Sequence, residues 1–258
     1  MSAFAAAAIL VMVLVTSAIS GVFGMAGGLM LMGGLAYLLP VNMALALHGF
    51  VQVTSNGWRV LLHRRYVSWR IVLLFGVGAA IAMGIFSLVA FSPSRVFVYL
   101  MLGILPLFVW LPERWFNLDV SKPSHAIACG LLSNALSLTA GVSGPFTDLF
   151  FIRTQLTRHE VVATKACMQT FGHISKIVAY GSALLSVAGR AAVPPFIFIA
   201  AVVLSMIGIM FGGWVLDRLT DIHFRRWRIG IITAMGAIYV VQAVILIVNG
   251  GHGGSPAL

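Results

Sequence analysis

The sequence predicts an all-α polytopic membrane protein, and three observations carry this prediction. Of the 258 residues, 60% are hydrophobic and only 9% are charged, with a mean hydropathy of +1.04. A soluble domain carries roughly 25% charged residues, because water must solvate its surface. Apolar stretches of about 18–20 residues, long enough to cross about 30 Å of hydrocarbon, recur along the chain. These stretches form two similar series, which indicates an internal repeat.

The first series occupies residues 1–115. It opens with a hairpin over residues 3–39, whose first helix stops at the glycine-rich stretch Gly21–Gly28. A short apolar piece follows this break and ends before Pro40, because proline cannot donate a helical hydrogen bond. Three spanning helices are then predicted, over residues 41–62, 71–91 and 95–111.

The second series occupies residues 124–248 and repeats this plan. Its hairpin covers residues 124–152 and breaks at A-G-V-S-G-P, Ala140–Pro145. Its three spanning helices are predicted over residues 160–185, 193–216 and 229–248, and residues 249–258 form a flexible tail. Each half has an odd number of elements, so the second half is expected upside down. The predicted fold class is therefore two inverted repeats, each with a broken, re-entrant glycine hairpin plus three spanning helices.

The repeat is visible in individual residues. Gly21-Val22-x-Gly24 recurs as Gly141-Val142-x-Gly144. A shift of 117 residues also aligns polar positions that lie inside apolar helices: His48 with Lys165, Gln52 with Gln169, Asn56 with His173, and Arg59 with Lys176. Four polar matches in an apolar background are hard to attribute to chance.

The distribution of basic residues predicts the orientation in the membrane. If the loop with Arg64, Arg65 and Arg70 is cytoplasmic, only Arg95 and Arg190 among the loop cations lie on the opposite side. This asymmetry follows the positive-inside rule and places both termini in the periplasm. It also accounts for the net charge of +10 without nucleic acid as a partner.

The two glycine breaks predict a ligand site. A broken helix exposes backbone groups that hydrocarbon cannot satisfy, so it lies where protein or a water-filled cavity covers it. A helix that begins after such a break directs its N–H groups and positive dipole end at the site, which favours an anion. The candidate contacts are Gly24, Gly27, Gly28 and Gly144; the alternative is close helix packing through small residues.

Two polar stripes supply candidate side chains. Spacings of three and four residues put the members of each stripe on one helix face. The substrate-binding candidates are Gln52, Asn56 and Arg59 on one helix and Lys165, Gln169, His173 and Lys176 on the other. Two alternatives stay open: Arg59 and Lys165 extend to the membrane interface, or Gln52, Gln169 and His173 form hydrogen bonds between helices. Asp148 and His48 are candidates for an ion pair or a coupling proton. Because buried acids are few, we hypothesise a uniport driven by the membrane potential.

These motifs resemble the TauE/SafE family of sulfite exporters. The resemblance rests on S-G-V-F-G-M-A-G-G (Ser20–Gly28), on A-G-V-S-G-P, and on A-T-K-A-C-M-Q-T-F-G-H-I-S-K-I-V-A-Y-G (Ala163–Gly181), and it extends from about Ser17 to Leu246. It implies a secondary transporter of the bacterial inner membrane that exports sulfite or a small organosulfonate such as sulfoacetate by alternating access. The second hairpin departs from the family, with Phe146 and Thr147 where a longer glycine run is expected.

Other functions remain as alternatives. An anion channel and an importer of another small oxyanion fit the same fold. An enzyme is not expected, because the sequence has no H-E-x-x-H, no paired Cys/His spacing and no G-x-S-x-G. No metal or cofactor is therefore expected. The expected partners are a small anion and the lipid bilayer, and homo-oligomerisation is left open.

Overall fold

A computed structural model describes residues 2–89, 91–112, 115, 117–185, 193–219 and 221–249. Within these ranges the regular structure is helical. The α-helices are α1 (Ala3–Phe23), α2 (Met25–Leu38), α3 (Val41–His63), α4 (Trp69–Leu88), α5 (Arg95–Ile104), α6 (Pro123–Ala140), α7 (Gly144–Leu149), α8 (Arg158–Tyr180), α9 (Ser182–Leu185), α10 (Pro195–Leu216) and α11 (Asp221–Val248). Short 3₁₀ segments follow α3 and α5. Arg190 and residues 250–258 of the predicted tail lie outside the described ranges.

Four of the described helices are long and apolar enough to cross a membrane: α1, α4, α10 and the 229–248 part of α11. Only 28–33% of the residues in their apolar windows are buried, so most of these side chains face outward. Along α4, for example, Leu73, Val77, Ile81 and Ile85 are exposed at every fourth position. Such an outer surface requires hydrocarbon around it, and the prediction of a multi-pass membrane protein is confirmed.

The long helices α3 and α8 form the centre of the bundle. They pack against each other, while α10 and α2 cover α3, and α4 and α6 cover α8. Both carry buried polar side chains, including His48 and Lys176, and for this reason they are less apolar than the four outer helices. A polar stripe is tolerated at this depth because protein, rather than lipid, surrounds it.

The first break is shorter than predicted. Helix α1 continues through Gly21 to Phe23, and the chain turns at the single residue Gly24, with φ 68° and ψ −110°. The second turn lies at Gly141, with φ 82°. A side chain is strained at a positive φ, so glycine is required at both turns. The break predicted over the whole of Gly21–Gly28 is therefore wrong in extent.

Several other helix ends differ from the predicted ones, most of all that of the last helix, which begins at Asp221 rather than at residue 229. The helix that begins at Arg95 is α-helical only to Ile104, since Pro106 has no N–H to donate, and it continues as a 3₁₀ segment to Trp110. The span predicted to end at residue 185 ends at Tyr180, and the short helix α9 follows it.

Small residues allow close crossings between the hairpin helices and their neighbours. A Cβ atom built on Gly212 of α10 would lie 2.7 Å from the Cα of Gly21 on α1. A Cβ atom on Gly130 of α6 would lie 3.0 Å from the backbone nitrogen of Ala79 on α4. Gly21 thus serves helix packing, which is the alternative that the sequence left open for its glycine cluster.

Candidate functional site

Arg59 binds the carbonyl end of α1 at the first break. The Ser20 carbonyl accepts a hydrogen bond from Gly24 N at 2.9 Å and another from Arg59 Nη2 at 2.9 Å. The Ser20 hydroxyl in turn donates to the Gly24 carbonyl at 2.8 Å. A cation at the C-terminal end of a helix satisfies unpaired carbonyls and interacts favourably with the helix dipole. Arg59 therefore contacts α1 as well as its own helix.

Lys176 makes the equivalent contact at the second break. Its side chain is fully buried, and Nζ donates to the Gly141 carbonyl at 2.6 Å. Nζ also lies 2.6 Å from Nδ1 of His48 on α3. A fully buried ammonium group is costly unless its environment compensates for its charge, so this lysine is a strong functional candidate.

His48 extends this link to the first hairpin. Its Nε2 lies 3.0 Å from the Gly28 carbonyl. A carbonyl oxygen can only accept, so Nε2 carries the proton and donates, and Nδ1 accepts from Lys176. A continuous row of hydrogen bonds therefore runs from Gly141, through Lys176 and His48, to Gly28.

A small cavity lies between the two breaks. Its volume is about 30 Å³, which is close to the space needed for one water molecule. Most of the predicted site residues line it together with neighbours that the sequence did not single out: Ser20, Gly24, Met25, Gly28, Leu29, His48, Gln52, Asn56, Ser137, Val142, Ser143, Gly144, Pro145, Gln169 and His173. The two polar stripes and both hairpins thus meet at one point inside the bundle.

The polar groups of the lining are hydroxyls, amides and imidazoles. None of the described lining residues has a carboxylate, while Lys176 contacts His48 in the wall and Arg59 contacts Ser20 and Asn56. Hydrogen-bond donors and nearby cations suit an anion that presents several oxygens.

His173 occupies a distinct place in this lining. Its ring meets that of His48 edge to face, with centroids 5.5 Å apart. The side chain is 93% buried, at 7% exposure, and within the described part of the chain its Nδ1 has no hydrogen-bond partner. A buried polar atom without a partner is costly, and it needs an explanation such as a ligand or a proton.

Three predicted residues lie away from the cavity. Gly27 packs against α1, where a Cβ atom would lie 2.7 Å from Cβ of Ser20. Lys165 forms an ion pair with Asp148, with both side chains partly exposed at 20% and 28%. Asp148 thus makes the ion pair that the sequence offered as one of its two roles, and Lys165 contacts it instead of lining the cavity.

The sequence missed several residues that shape the site. Ser20 and Ser143 lie within or beside the glycine motifs, and this position was the only signal for them. Tyrosine hydroxyls of Tyr99, Tyr239 and Tyr180 donate to the carbonyls of Gly33, Leu29 and Leu138 at 3.0, 2.9 and 2.7 Å. These bonds connect distant helices to the two hairpins, and no local pattern in the sequence marks them.

A larger cavity of about 780 Å³ lies elsewhere, between α1, α2 and α11. Its lining is mostly apolar, with side chains such as Phe4, Val11 and Ile238. Its lining includes neither Gly24 nor Gly141 and offers few hydrogen-bond donors, so it does not suit an anion.

Comparison with known families gives a match over most of the chain. The family model described as Sulfite exporter TauE/SafE matches residues 8–239 of 258. The match includes both glycine breaks, both polar stripes and every described residue that lines the small cavity. No curated protein and no solved structure matches the chain.

Proposed function

Because this chain belongs to the TauE/SafE family of sulfite exporters, we propose that it exports sulfite or a small organosulfonate such as sulfoacetate. The cavity between the two helix breaks is the proposed substrate site. Its ligands are the amides of Gln52, Asn56 and Gln169, the imidazole of His173, and the backbone at Gly24, Gly28 and Gly144. Lys176 and Arg59 contribute positive charge from behind this lining.

The observation that carries this proposal is the fully buried Lys176 beside a cavity whose described lining has no carboxylate. An ammonium group at this depth is balanced when an anion occupies the cavity. Sulfite and sulfonates each present three oxygens, which amide and imidazole donors can bind in different directions.

Inverted repeats are part of the proposal, and matched contacts support them. The contact of α1 with α10 corresponds to that of α6 with α4, and the contact of α3 with α10 corresponds to that of α8 with α4. The bond from Arg59 to Ser20 resembles that from Lys176 to Gly141, although the two acceptors are one residue apart in the alignment of the glycine motifs. The bond between His48 and Gly28 likewise corresponds to the ion pair of Lys165 with Asp148.

We further propose alternating access rather than an open channel. A cavity of about 30 Å³ is too small for a sulfonate, so the hairpins must separate before the substrate binds. Packed repeats that rock around a central site provide such a movement. In this proposal the protein lies in the bacterial inner membrane, with the start of α1 on the periplasmic side.

A thermal-shift screen of the detergent-solubilised protein tests the substrate class. The probes are sulfite, sulfoacetate, isethionate, taurine, thiosulfate, sulfate and formate. A ligand that binds only the folded state stabilises it by RT ln(1 + [L]/Kd), so we expect sulfite or the sulfonates to raise the melting temperature. If formate alone raised it, the proposed substrate would be wrong.

The same probes can be followed across liposome membranes. We expect saturable efflux of sulfoacetate without resolvable single-channel currents. Single-channel currents would contradict alternating access, since they need a continuous pore.

Substitution of Gly28 by alanine is expected to weaken sulfoacetate binding by about tenfold or more. The added Cβ atom meets Nε2 of Gln52, which is the free end of a flexible side chain. The methyl group therefore displaces a proposed ligand and fills part of the cavity, while the fold has little to rearrange. Binding is measured by titration of the purified variant.

Gly57→Ala is the matched control, because this glycine lies on α3 and has nothing within 4 Å of an added Cβ atom. It should bind sulfoacetate as the wild type does. Wild-type affinity in Gly28→Ala would place the substrate elsewhere.

A further inference from the structure

His173 lies beside two other basic groups at the proposed site. His48 contacts its ring, and Lys176 lies three residues further along α8. Lys176 and His48 are already joined by a hydrogen bond, and both nitrogens of His48 are used. In the described part of the chain, only His173 among these three groups has a buried nitrogen without a partner.

We infer that the site binds a proton together with its anion, and that Nδ1 of His173 receives this proton. The inference rests on the proposed function, since it concerns the same cavity. In the tautomer whose hydrogen is on Nε2, Nδ1 has a free lone pair, which takes a proton from the bulk solution, so that the ring gains an N–H donor. The cavity then takes up one anion and one proton together.

Charge explains why the two ligands bind together. In the empty cavity, a second positive charge beside the ammonium group of Lys176 is unfavourable. A bound anion removes this cost and offers an acceptor to the new N–H. Binding of the anion therefore favours protonation of His173, and protonation favours binding of the anion.

Other titratable or charged groups near α8 do not replace His173 in this role. Those on the elements packed against α8 are His48, Arg59 and His63 on α3, Arg70 on α4, His125 and Cys129 on α6, and Arg64, Arg65 and Tyr66 in the 3₁₀ segment after α3. Toward Gly172, the neighbour of His173, α6 directs the neutral side chains of Ser137 and Asn134. Lys165 is paired with Asp148 of α7.

The linkage needs no buried acid. The few acidic residues of the chain suggested a uniport, but an imidazole can also carry a proton in the neutral pH range. The anion and the proton bound with it would together carry one negative charge fewer than the free anion.

The experiment measures proton uptake on binding. Sulfoacetate is the probe, because its sulfonate and carboxylate stay ionised between pH 6 and 9, whereas sulfite itself titrates near neutral pH. The anion is added to purified protein in weakly buffered solution with a pH indicator, and its Kd is measured across the same pH range. We expect uptake of up to one proton per anion within this pH range, and where the uptake is close to one, affinity falls about tenfold per pH unit.

Two variants assign the proton to a residue. His173→Gln should lose the proton uptake and bind with less than about a twofold change per pH unit, since an amide does not titrate. His159→Gln is the matched control, because His159 is exposed on the same helix and should behave as the wild type does.

Wild-type binding without proton uptake, at a Kd that is constant from pH 6 to 9, would overturn the inference and leave the proposed function intact; this measurement needs no variant to fold. If the His173→Gln variant took up as much proton per anion as the wild type does, the assignment to His173 would be overturned. If the wild type bound none of the sulfur anions, the proposed function would fail and the inference with it.

Discussion

Replacement of Lys176 by methionine is expected to weaken sulfoacetate binding by roughly 10- to 100-fold, because the anion loses a buried cation that contacts the lining of its site. The lysine is fully buried and forms hydrogen bonds with both the Gly141 carbonyl and the His48 ring. Methionine has a similar length and no charge, so it fills the same space. The variant therefore tests charge rather than packing.

The stability of Lys176→Met should change much less than its affinity. Removal of a buried charge stabilises the fold, whereas loss of the donor leaves two acceptors without a partner, and these effects oppose each other. Affinity is measured by titration with sulfoacetate, and stability by thermal unfolding in detergent. Lys122→Met, at an exposed lysine, is the matched control and should bind normally. An unchanged affinity in Lys176→Met would remove this residue from the site.

Substitution of Gly212 by alanine is expected to lower the free energy of unfolding by about 1–3 kcal/mol, and leucine should cost more. The added Cβ atom would lie 2.7 Å from Cα of Gly21, in backbone that cannot turn aside. Helices α1 and α10 would have to separate along their main crossing. Thermal unfolding of the detergent-solubilised variant measures the loss.

The neighbouring residue provides a stringent control. Gly213 has nothing within 4 Å of an added Cβ atom, so Gly213→Ala should be neutral or stabilising, since alanine favours a helix. Equal melting temperatures for Gly212→Ala and Gly213→Ala would mean that the α1–α10 crossing does not limit stability.

Local patterns in the sequence predicted much of the lining of the small cavity. The spacing of His48, Gln52 and Asn56 placed them on one face of a helix, and all three line the cavity. The same holds for Gln169 and His173 on α8. Helix periodicity is a property of consecutive residues, so a sequence can show which side chains share a face.

The position of the chain turns was less predictable. The two glycine motifs align in sequence, yet the chain turns at Gly24 in the first and at Gly141 in the second, which are not aligned positions. Gly21 stays helical because it packs against Gly212, which lies far along the chain. Each motif has more than one glycine at which the chain could turn, and the packing of the helices determines which of them forms the turn.

Composition and helix periodicity act over short distances along the chain, so they suffice to predict a multi-pass membrane protein of helices that glycine interrupts and that carry two polar stripes. Which polar groups contact each other depends on how the helices pack in three dimensions. Arg59 binds Ser20, Lys176 binds Gly141 and His48, and Lys165 pairs with Asp148 instead of lining the cavity. These partners are 17–128 residues apart. Buried polar atoms must find partners wherever the packing of whole helices brings them, and this packing depends on the shape of every helix at once.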